Sequence, residues 1–354
     1  MKTEDRILFL CTRQDFLPRH REAVEALSRR AEVRWMELAK TAGRHGVLPI
    51  VGTNLRRCDA EALRLPPGMA ERLQIAVFES AAVRERDADR LATALTRLRE
   101  VGLEAMLLKG TALSLFVYQE PWVVDSRDID LVLRPLPGWR EDEGGEREVR
   151  RSLYKSGIEC DLFDHHDVTM NGVLPVDFER IWRDARPVRF RGAEAWTMSP
   201  EDLLLSLAVN ACRKRFLRLK GLFDLAETVP RLPELDWALF AARAREHRCE
   251  GIVYTAFTAA RETLGCDCPE GALETLGVSP TRARLLRGLV AAFLRRGSLV
   301  DRTGEELAVL LSYASFRPAE AWRSFRYSFT HPPVHRPPAD FEASLLPAPT
   351  PPAR

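Results

Sequence analysis

Asp128 and Asp130 are separated by a single residue, a spacing at which two carboxylates could act together in catalysis. They open the apolar run 129–133, which ends before Pro135 and predicts a β-strand. Residues i and i+2 of a strand point to the same side, so the two carboxylates could share hard cations. Mg²⁺ prefers carboxylate oxygens, and a pair of such ions can catalyse phosphoryl or nucleotidyl transfer.

A glycine turn upstream of these acids adds a second chemical feature. The run 103–108 predicts a strand, Lys109-Gly110 predicts a turn, and residues 111–118 are compatible with a helix. Glycine lets backbone N–H groups approach phosphate oxygens, and the helix N-terminus adds partial positive charge. A nucleoside triphosphate would suit this turn. The side chain of Lys109 has an alternative interpretation as a surface lysine at the end of the strand.

A third acid lies in a segment that also has strand character. Residues 173–178 predict a strand, on which Asp177 and Glu179 would share one side. A further strand is predicted over residues 158–163, which gives a small sheet of four or five strands. Asp177 could then meet the first two acids as a third carboxylate.

A second pair of acids has the same spacing but does not lie on a predicted strand. Asp87 and Asp89 lie in a helical stretch, where residues i and i+2 diverge, so both are predicted to face solvent. The charged loop 141–148 and the pair His165-His166 are likewise assigned no chemical role. Tyr118, Trp122 and Trp182 are predicted to be core aromatics rather than parts of the site.

Helices are predicted on both sides of this sheet. Apolar residues near helical spacing predict helices from residue 6 to about residue 99, and Ser199-Pro200 predicts the start of a long helix. The expected organisation is an N-terminal helical domain (1–100), a core (101–198), a C-terminal helical domain (199–330) and a disordered proline-rich tail (331–354). The fold class is therefore α+β, with a small mixed sheet between helical domains.

Composition excludes several other classes. The 354 residues carry 53 basic and 51 acidic side chains, so no overall charge marks a general nucleic-acid or membrane-surface binder. Seven cysteines without a secretion signal favour a reducing cytoplasm over a disulfide framework. No apolar run approaches the roughly 20 residues that span a bilayer. We expect a cytoplasmic protein.

The motifs resemble those of the uncharacterised bacterial nucleotidyltransferases of the DNA polymerase beta superfamily, including the branch found beside lasso-peptide and other biosynthetic genes. The resemblance covers roughly residues 30–230. The matching segments are Leu107-Leu108-Lys109-Gly110-Thr111-Ala112-Leu113, Tyr118, Arg127-Asp128-Ile129-Asp130-Leu131-Val132, His45-Gly46-Val47-Leu48-Pro49, Leu174-Pro175-Val176-Asp177, Pro200-Glu201-Asp202-Leu203-Leu204, Arg215-Phe216-Leu217-Arg218-Leu219-Lys220, Leu222 and Asp224-Leu225.

This resemblance implies a polymerase beta-like nucleotidyltransferase core and assigns roles to its residues. The turn at Gly110-Thr111, with Lys109 beside it, would bind the β- and γ-phosphates of an NTP. Asp128 and Asp130 would hold both metal ions, while Asp177 would contact the catalytic ion and help deprotonate the acceptor. A basic residue of the following helical segment would reach the phosphates, and Lys220 is our choice. Asn210 departs from the pattern, because relatives often carry a histidine there.

The implied reaction transfers an NMP from an NTP to an acceptor and releases pyrophosphate, with two Mg²⁺ ions or with Mn²⁺. ATP is the expected donor, and a small molecule or peptide is favoured over RNA as acceptor. One alternative is a metal-dependent glycosyltransferase that uses a nucleotide sugar, which would require neither Gly110-Thr111 nor Asp177. The other is a catalytically silent nucleotide-binding scaffold.

Overall fold

The computed structural model describes residues 1–120, 122–123, 129–135, 160–161, 172–216, 218–295 and 302–330. The described chain is mixed α+β and mostly helical, with one small mixed sheet. Both features agree with the predicted fold class. No helix in these ranges is long and apolar enough to cross a membrane. The proline-rich tail lies outside the described residues.

Six helices precede the sheet. The last begins after Gly68, whose φ of 74° needs glycine, and its buried residues recur at helical spacing. Together with Pro66 and Pro67, this glycine separates α6 from α5. The helices are α1 (Thr3–Cys11), α2 (Pro18–Arg30), α3 (Trp35–Arg44), α4 (Leu48–Leu55), α5 (Ala60–Leu63) and α6 (Met69–Glu100).

The sheet has five strands in the order β3-β2-β1-β5-β4. Strand β1 pairs antiparallel with β2 and parallel with β5, while β2 pairs parallel with β3. The predicted strand followed by a helix is confirmed, and Lys109-Gly110, predicted as a separate turn, forms the first residues of α7. The elements are β1 (Leu103–Leu107), α7 (Lys109–Phe116), β2 (Ile129–Pro135), β3 (Cys160–Asp161), α8 (Phe178–Arg183), β4 (Arg186–Phe190) and β5 (Ala193–Thr197).

The two faces of the sheet carry different helices. Helices α6 and α7 pack against one face, where Ile129 of β2 lines a cavity with Leu91 and Leu115. Arg134 of β2 points to the other face, with its guanidinium 4.4 Å from the ring centroid of Trp182 in α8. Because side chains alternate along a strand, Asp130 lies on the same face as Arg134. Helix α8 therefore covers part of the face that bears Asp130.

The prediction of a strand over residues 173–178 is wrong. Residues 172–177 form a turn and loop, and α8 begins at Phe178. Pro175 has no N–H to donate to a strand ladder, and Asp177 caps the helix by accepting a hydrogen bond from the backbone N–H of Arg180 at 3.0 Å. Glu179 is helical, so it does not share a strand face with Asp177.

Helices also make up most of the described residues after the sheet, in agreement with the prediction. Ser199 caps the first of them by accepting from the backbone N–H of Asp202, with Pro200 in the first turn. The elements are α9 (Pro200–Arg213), α10 (Leu219–Thr228), a 3₁₀ turn (Val229–Arg231), α11 (Trp237–Glu246), α12 (Glu250–Leu264), α13 (Glu270–Glu274), α14 (Pro280–Arg295), α15 (Arg302–Ser315) and α16 (Pro318–Thr330).

A glycine at the start of α12 permits the C-terminal helices to pack closely. A Cβ atom on Gly251 would collide with the carbonyl oxygen of Ser315 and lie 2.5 Å from a guanidinium nitrogen of Arg282. We expect Gly251→Ala to lower the free energy of unfolding by about 2–3 kcal/mol. Urea denaturation measures this. Gly288→Ala in α14 is the control, because its Cβ meets open space and alanine favours helix by up to about 1 kcal/mol. Equal stability of the two variants would contradict the packing argument.

Candidate active site

The acid of β2 lies beside the turn that begins α7. Strand pairing places Leu107 opposite Leu131, and the backbone N–H of Leu108 donates to the carbonyl oxygen of Asp130 at 3.1 Å. The next residue, Lys109, donates from Nζ to Oδ1 of Asp130 at 2.7 Å. The sequence-predicted turn and the second aspartate are therefore brought together by the β1–β2 pairing.

Lys109 is part of this site rather than a surface residue. The residue is 8% exposed, and the side chains of Lys109 and Asp130 are 10% and 16% exposed. Its backbone φ of 46° lies in the left-handed region, which is uncommon for a residue other than glycine. A buried ammonium needs a partner of opposite charge. Asp130 supplies that charge, so this carboxylate already holds a cation in the structure.

The first turn of α7 offers backbone donors at the same place. Gly110 and Thr111 are both buried, and both belong to this turn. The first N–H groups of a helix have no intrahelical acceptor, and they carry the positive end of the helix dipole. Such a turn can receive anionic oxygens. The arrangement thus combines a carboxylate for cations with a helix start for anions.

Asp177 lies at the N-terminus of α8, five residues before Trp182. It is exposed, and its carboxylate accepts from the backbone N–H of Arg180. The position of α8 follows from Trp182, which packs on Arg134 of the Asp130 face. This contact links α8 to the strand that carries Asp130, and the structure gives no direct contact between the Asp177 and Asp130 carboxylates.

Asp128 lies outside the described residues, so its contacts are not part of the site as described. Within the described ranges, which exclude Asp128, no group of three histidine, cysteine or acidic side chains is assembled as a metal site. A further acid near Asp130, Asp161, was not predicted as a site residue from the sequence. Asp161 of β3 is the register partner of Asp130 in the parallel pair. The signal was available, because the predicted strand over residues 158–163 contains this aspartate.

Lys220 is held away from the start of α7. Its Nζ donates to Oδ2 of Asp224 at 2.6 Å, and Asp224 also accepts from the hydroxyl of Tyr118 at 2.6 Å. Tyr118 follows the C-terminal end of α7, whereas the proposed phosphate turn is at the N-terminal end. Burial, followed by the negative charge of Asp224, raises the pKa of Tyr118 well above its usual range. The structure therefore does not bring Lys220 to Lys109 and Gly110.

His45 connects two motifs that lie far apart in the sequence, the segment 45–49 and the segment 215–220. The backbone N–H of Leu219 donates to Nδ1 of His45 at 3.2 Å, and the backbone N–H of Lys220 donates to the His45 carbonyl oxygen at 3.2 Å. His45 is 2% exposed. It therefore caps the first turn of α10, a role that the sequence reasoning did not assign.

Of the two acids with the repeated spacing, only Asp89 faces solvent as predicted. The prediction is wrong for Asp87, whose side chain is 17% exposed and lines the cavity beside Ile129. Asp87 and Asp89 both belong to α6, and the Asp89 side chain is 71% exposed. It accepts from the guanidinium of Arg191 at 2.5 Å. Tyr118 and Trp182 are buried as predicted, and Trp122 is half-buried. None of these residues is part of the Lys109–Asp130 arrangement.

Residues 31–265, more than half of the chain, match the model of a family described as uncharacterised nucleotidyltransferase. No curated protein and no solved structure matches the chain. The match spans Lys109, Asp130 and Asp177, and it extends to the end of α12. The chain therefore belongs to this nucleotidyltransferase family, whose members are transferases of phosphorus-containing groups.

Proposed function

We propose that the chain transfers an NMP from an NTP to an acceptor and releases pyrophosphate. The acceptor's hydroxyl or phosphate oxygen forms a bond to the α-phosphorus, and the bond to the pyrophosphate oxygen breaks. The observation that carries the proposal is the buried contact of 2.7 Å between Lys109 and Asp130 beside the first turn of α7. It supports one small site with places for both a cation and a triphosphate.

The residues at this site fit divalent metal ions. Asp130 presents hard oxygen donors and already balances a positive charge, that of Lys109. Asp128 and Asp130 would hold two Mg²⁺ ions, with Mn²⁺ as a substitute, and Asp177 would contribute a third carboxylate. When bound, the ions would stabilise negative charge on the reacting oxygens and favour ionisation of the acceptor hydroxyl.

The remaining roles belong to groups at the start of α7. Backbone N–H groups of Gly110 and Thr111 would bind the β- and γ-phosphates and orient the α-phosphorus for in-line attack. Lys109 would exchange its contact with Asp130 for a phosphate oxygen when the NTP binds. We keep Lys220 as a nucleotide-binding candidate, which then acts on a part of the donor nearer α10.

The third carboxylate has two candidates. Asp177 is our proposal, because α8 covers the Asp130 face and the capping bond to Arg180 engages one carboxylate oxygen, leaving the other for an ion. Asp161 is the second candidate, because β3 pairs with β2 and the register matches Asp161 with Asp130.

ATP is the proposed donor, and a small molecule or peptide is the proposed acceptor. The helical domains 1–100 and 199–330 would shape the acceptor pocket around the core 101–198. This assignment fits the resemblance to nucleotidyltransferases of bacterial biosynthetic gene clusters, and the reaction would take place in the cytoplasm, where NTPs are available.

Titration calorimetry with ATP, GTP, CTP and UTP tests the proposal on the full chain. We expect one NTP to bind at least about tenfold more tightly with Mg²⁺ than with EDTA, because the metal links the triphosphate to the carboxylates. Asp130→Asn should remove that metal dependence. The control is Asp89→Asn, whose carboxylate has the same sequence motif but lies on the exposed face of α6.

The same titrations separate the alternatives. Binding of a nucleotide sugar without binding of an NTP would replace the proposal with a glycosyltransferase. Metal-dependent NTP binding without pyrophosphate release, in the presence of candidate hydroxyl acceptors, would favour the silent scaffold. Binding of neither class of nucleotide would contradict all three functions.

A further inference from the structure

A buried ionic cluster joins α8 to the helices that follow the sheet. Its centre is Asp202 in the first turn of α9, whose side chain is 1% exposed. Asp202 accepts hydrogen bonds from two arginines, one in α8 and one in α11. A buried carboxylate of this kind needs both charge balance and filled acceptor positions, and the arginines supply both.

Arg180 makes the α8 side of the cluster. Its Nη2 donates to Oδ1 of Asp202 at 3.1 Å, and its Nη1 donates to Oδ2 at 3.2 Å. This is the bidentate geometry of arginine with a carboxylate, which restricts orientation as well as distance. The backbone N–H of Arg180 also donates a hydrogen bond to the carboxylate of Asp177. Arg180 therefore connects the capping carboxylate to a fixed point in α9.

Arg243 of α11 completes the cluster from the other side. Its Nη1 donates to Oδ2 of Asp202 at 2.7 Å, and its Nη2 donates to Oδ2 of Asp184 at 2.6 Å. His247 accepts at Nε2 from Arg180 at 3.0 Å. Burial, followed by the charge of Arg180, lowers the pKa of His247, which keeps the ring neutral as an acceptor.

Helix α8 depends on these contacts for its position. It has six residues, and a helix this short has little stability of its own in water. Its anchors are the buried Ile181 and Trp182 together with the Arg180 contacts. The hydrophobic anchors are non-directional, whereas the bidentate pair restricts how α8 can rotate.

We infer that Arg180 is a positioning residue that fixes Asp177 for metal binding through its bidentate pair with Asp202. This inference rests on the proposed function. Arg180 touches neither nucleotide nor metal in this scheme; it orients the first turn of α8, and with it the carboxylate. Residues that orient a metal ligand through a hydrogen bond tune the affinity of the metal itself. Asp202 would thus link the helices after the sheet to the third carboxylate.

Loss of Arg180 leaves the cluster with enough partners to fold. In Arg180→Met, Asp202 keeps Arg243 and the hydroxyl of Ser199, which donates at 3.1 Å. The matched control is Arg317→Met in the loop before α16. It removes one arginine from the buried Glu250, which retains Arg282 at 3.7 Å. Both variants lose an arginine–carboxylate pair, and only one of these pairs touches α8.

Electron paramagnetic resonance of Mn²⁺, titrated alone into the full chain, tests the inference. We expect Arg180→Met to weaken Mn²⁺ binding about tenfold, and Arg317→Met to leave it unchanged. Arg180→Lys keeps the charge without the bidentate geometry, so it should recover only part of the affinity. In an Asp177→Asn background, Arg180→Met should have no further effect, because the residue through which it acts is gone.

The outcomes separate this inference from the function on which it rests. Wild-type affinity in Arg180→Met, with affinity lost in Asp130→Asn, overturns the positioning role and leaves the proposed function standing. Full additivity of Arg180→Met and Asp177→Asn also overturns it. Absence of Mn²⁺ binding by the wild type overturns the positioning role, and the NTP titrations with Mg²⁺ then decide the proposed function separately. If Arg180→Met does not fold, Arg180→Lys carries the same comparison, and wild-type affinity in that variant overturns the bidentate argument.

Discussion

Asp130→Asn is expected to lower the rate of nucleotidyl transfer at least about 10³-fold, which corresponds to about 4 kcal/mol of transition-state stabilisation. The substitution removes the negative charge that would hold divalent ions beside the first turn of α7, while the shape of the side chain is kept. Release of pyrophosphate from the NTP identified by titration measures the rate. Transfer by Asp130→Asn at the wild-type rate would exclude this carboxylate from the site.

The same substitution also breaks the buried ion pair with Lys109, so stability needs a separate measurement. Removing one partner leaves the other charge buried and unpaired, so we expect the free energy of unfolding to fall by about 3 kcal/mol. The double variant Lys109→Met/Asp130→Asn removes both charges and should recover most of that loss in urea denaturation. It should remain inactive. Recovered stability without recovered transfer distinguishes a chemical role of the Lys109–Asp130 pair from a structural one.

Local signals in the sequence predicted the parts of the fold that depend on neighbouring residues. The capping serine at Ser199 and the proline after it locate the start of α9. The apolar run after Asp128 locates β2, and the glycine turn locates the start of α7. Each of these elements is set by a cap, a breaker or a periodicity within a few residues of it.

Competing local signals account for the error at Asp177. Residues 173–178 alternate like a strand, yet an aspartate followed by an acid in the next turn is also a helix start. The helix forms because Asp177 accepts the Arg180 N–H and because Ile181 and Trp182 bury their side chains. Periodicity over six residues is too short to decide between the two structures.

The β4–β5 hairpin was missed for a different reason. Its first strand is mostly exposed and rich in arginine, so it lacks the apolar alternation that predicts a strand. The remaining signal is Arg191-Gly192, whose φ values of 48° and 87° fit a two-residue hairpin turn. A single glycine after arginine is a weak indication of such a turn.

Long-range pairing explains what no local pattern could predict at the site. Lys109 is buried because β2 returns antiparallel to β1 and places Asp130 next to it. Arg180 meets Asp202 and His247 because α8, α9 and α11 converge. These contacts depend on the tertiary arrangement of elements, so the residue types alone did not predict the pairing of Lys109 with Asp130 or that of Arg180 with Asp202.

Asp177→Asn is expected to lower the turnover rate about 10²- to 10³-fold while the affinity for the NTP changes little. The reason is that the third carboxylate acts on the catalytic ion and the acceptor, whereas the triphosphate is bound by the turn of α7. Asparagine is as good a helix cap as aspartate, so the free energy of unfolding should change by less than about 0.5 kcal/mol. The loss of activity would therefore not arise from loss of α8.

The matched comparison is Asp161→Asn, because β3 brings this second acid into register with Asp130. If Asp177 is the third carboxylate, Asp161→Asn should keep turnover within about threefold of the wild type, the change expected when no interaction specific to the transition state is removed. The reverse result, with Asp161→Asn inactive and Asp177→Asn active, would transfer the role to β3 and make the bond to Arg180 a purely structural cap. Loss of turnover in both variants, with NTP binding intact, would mean that both Asp161 and Asp177 are required. Steady-state kinetics with the same NTP and acceptor, run beside urea denaturation of each variant, decides among these arrangements.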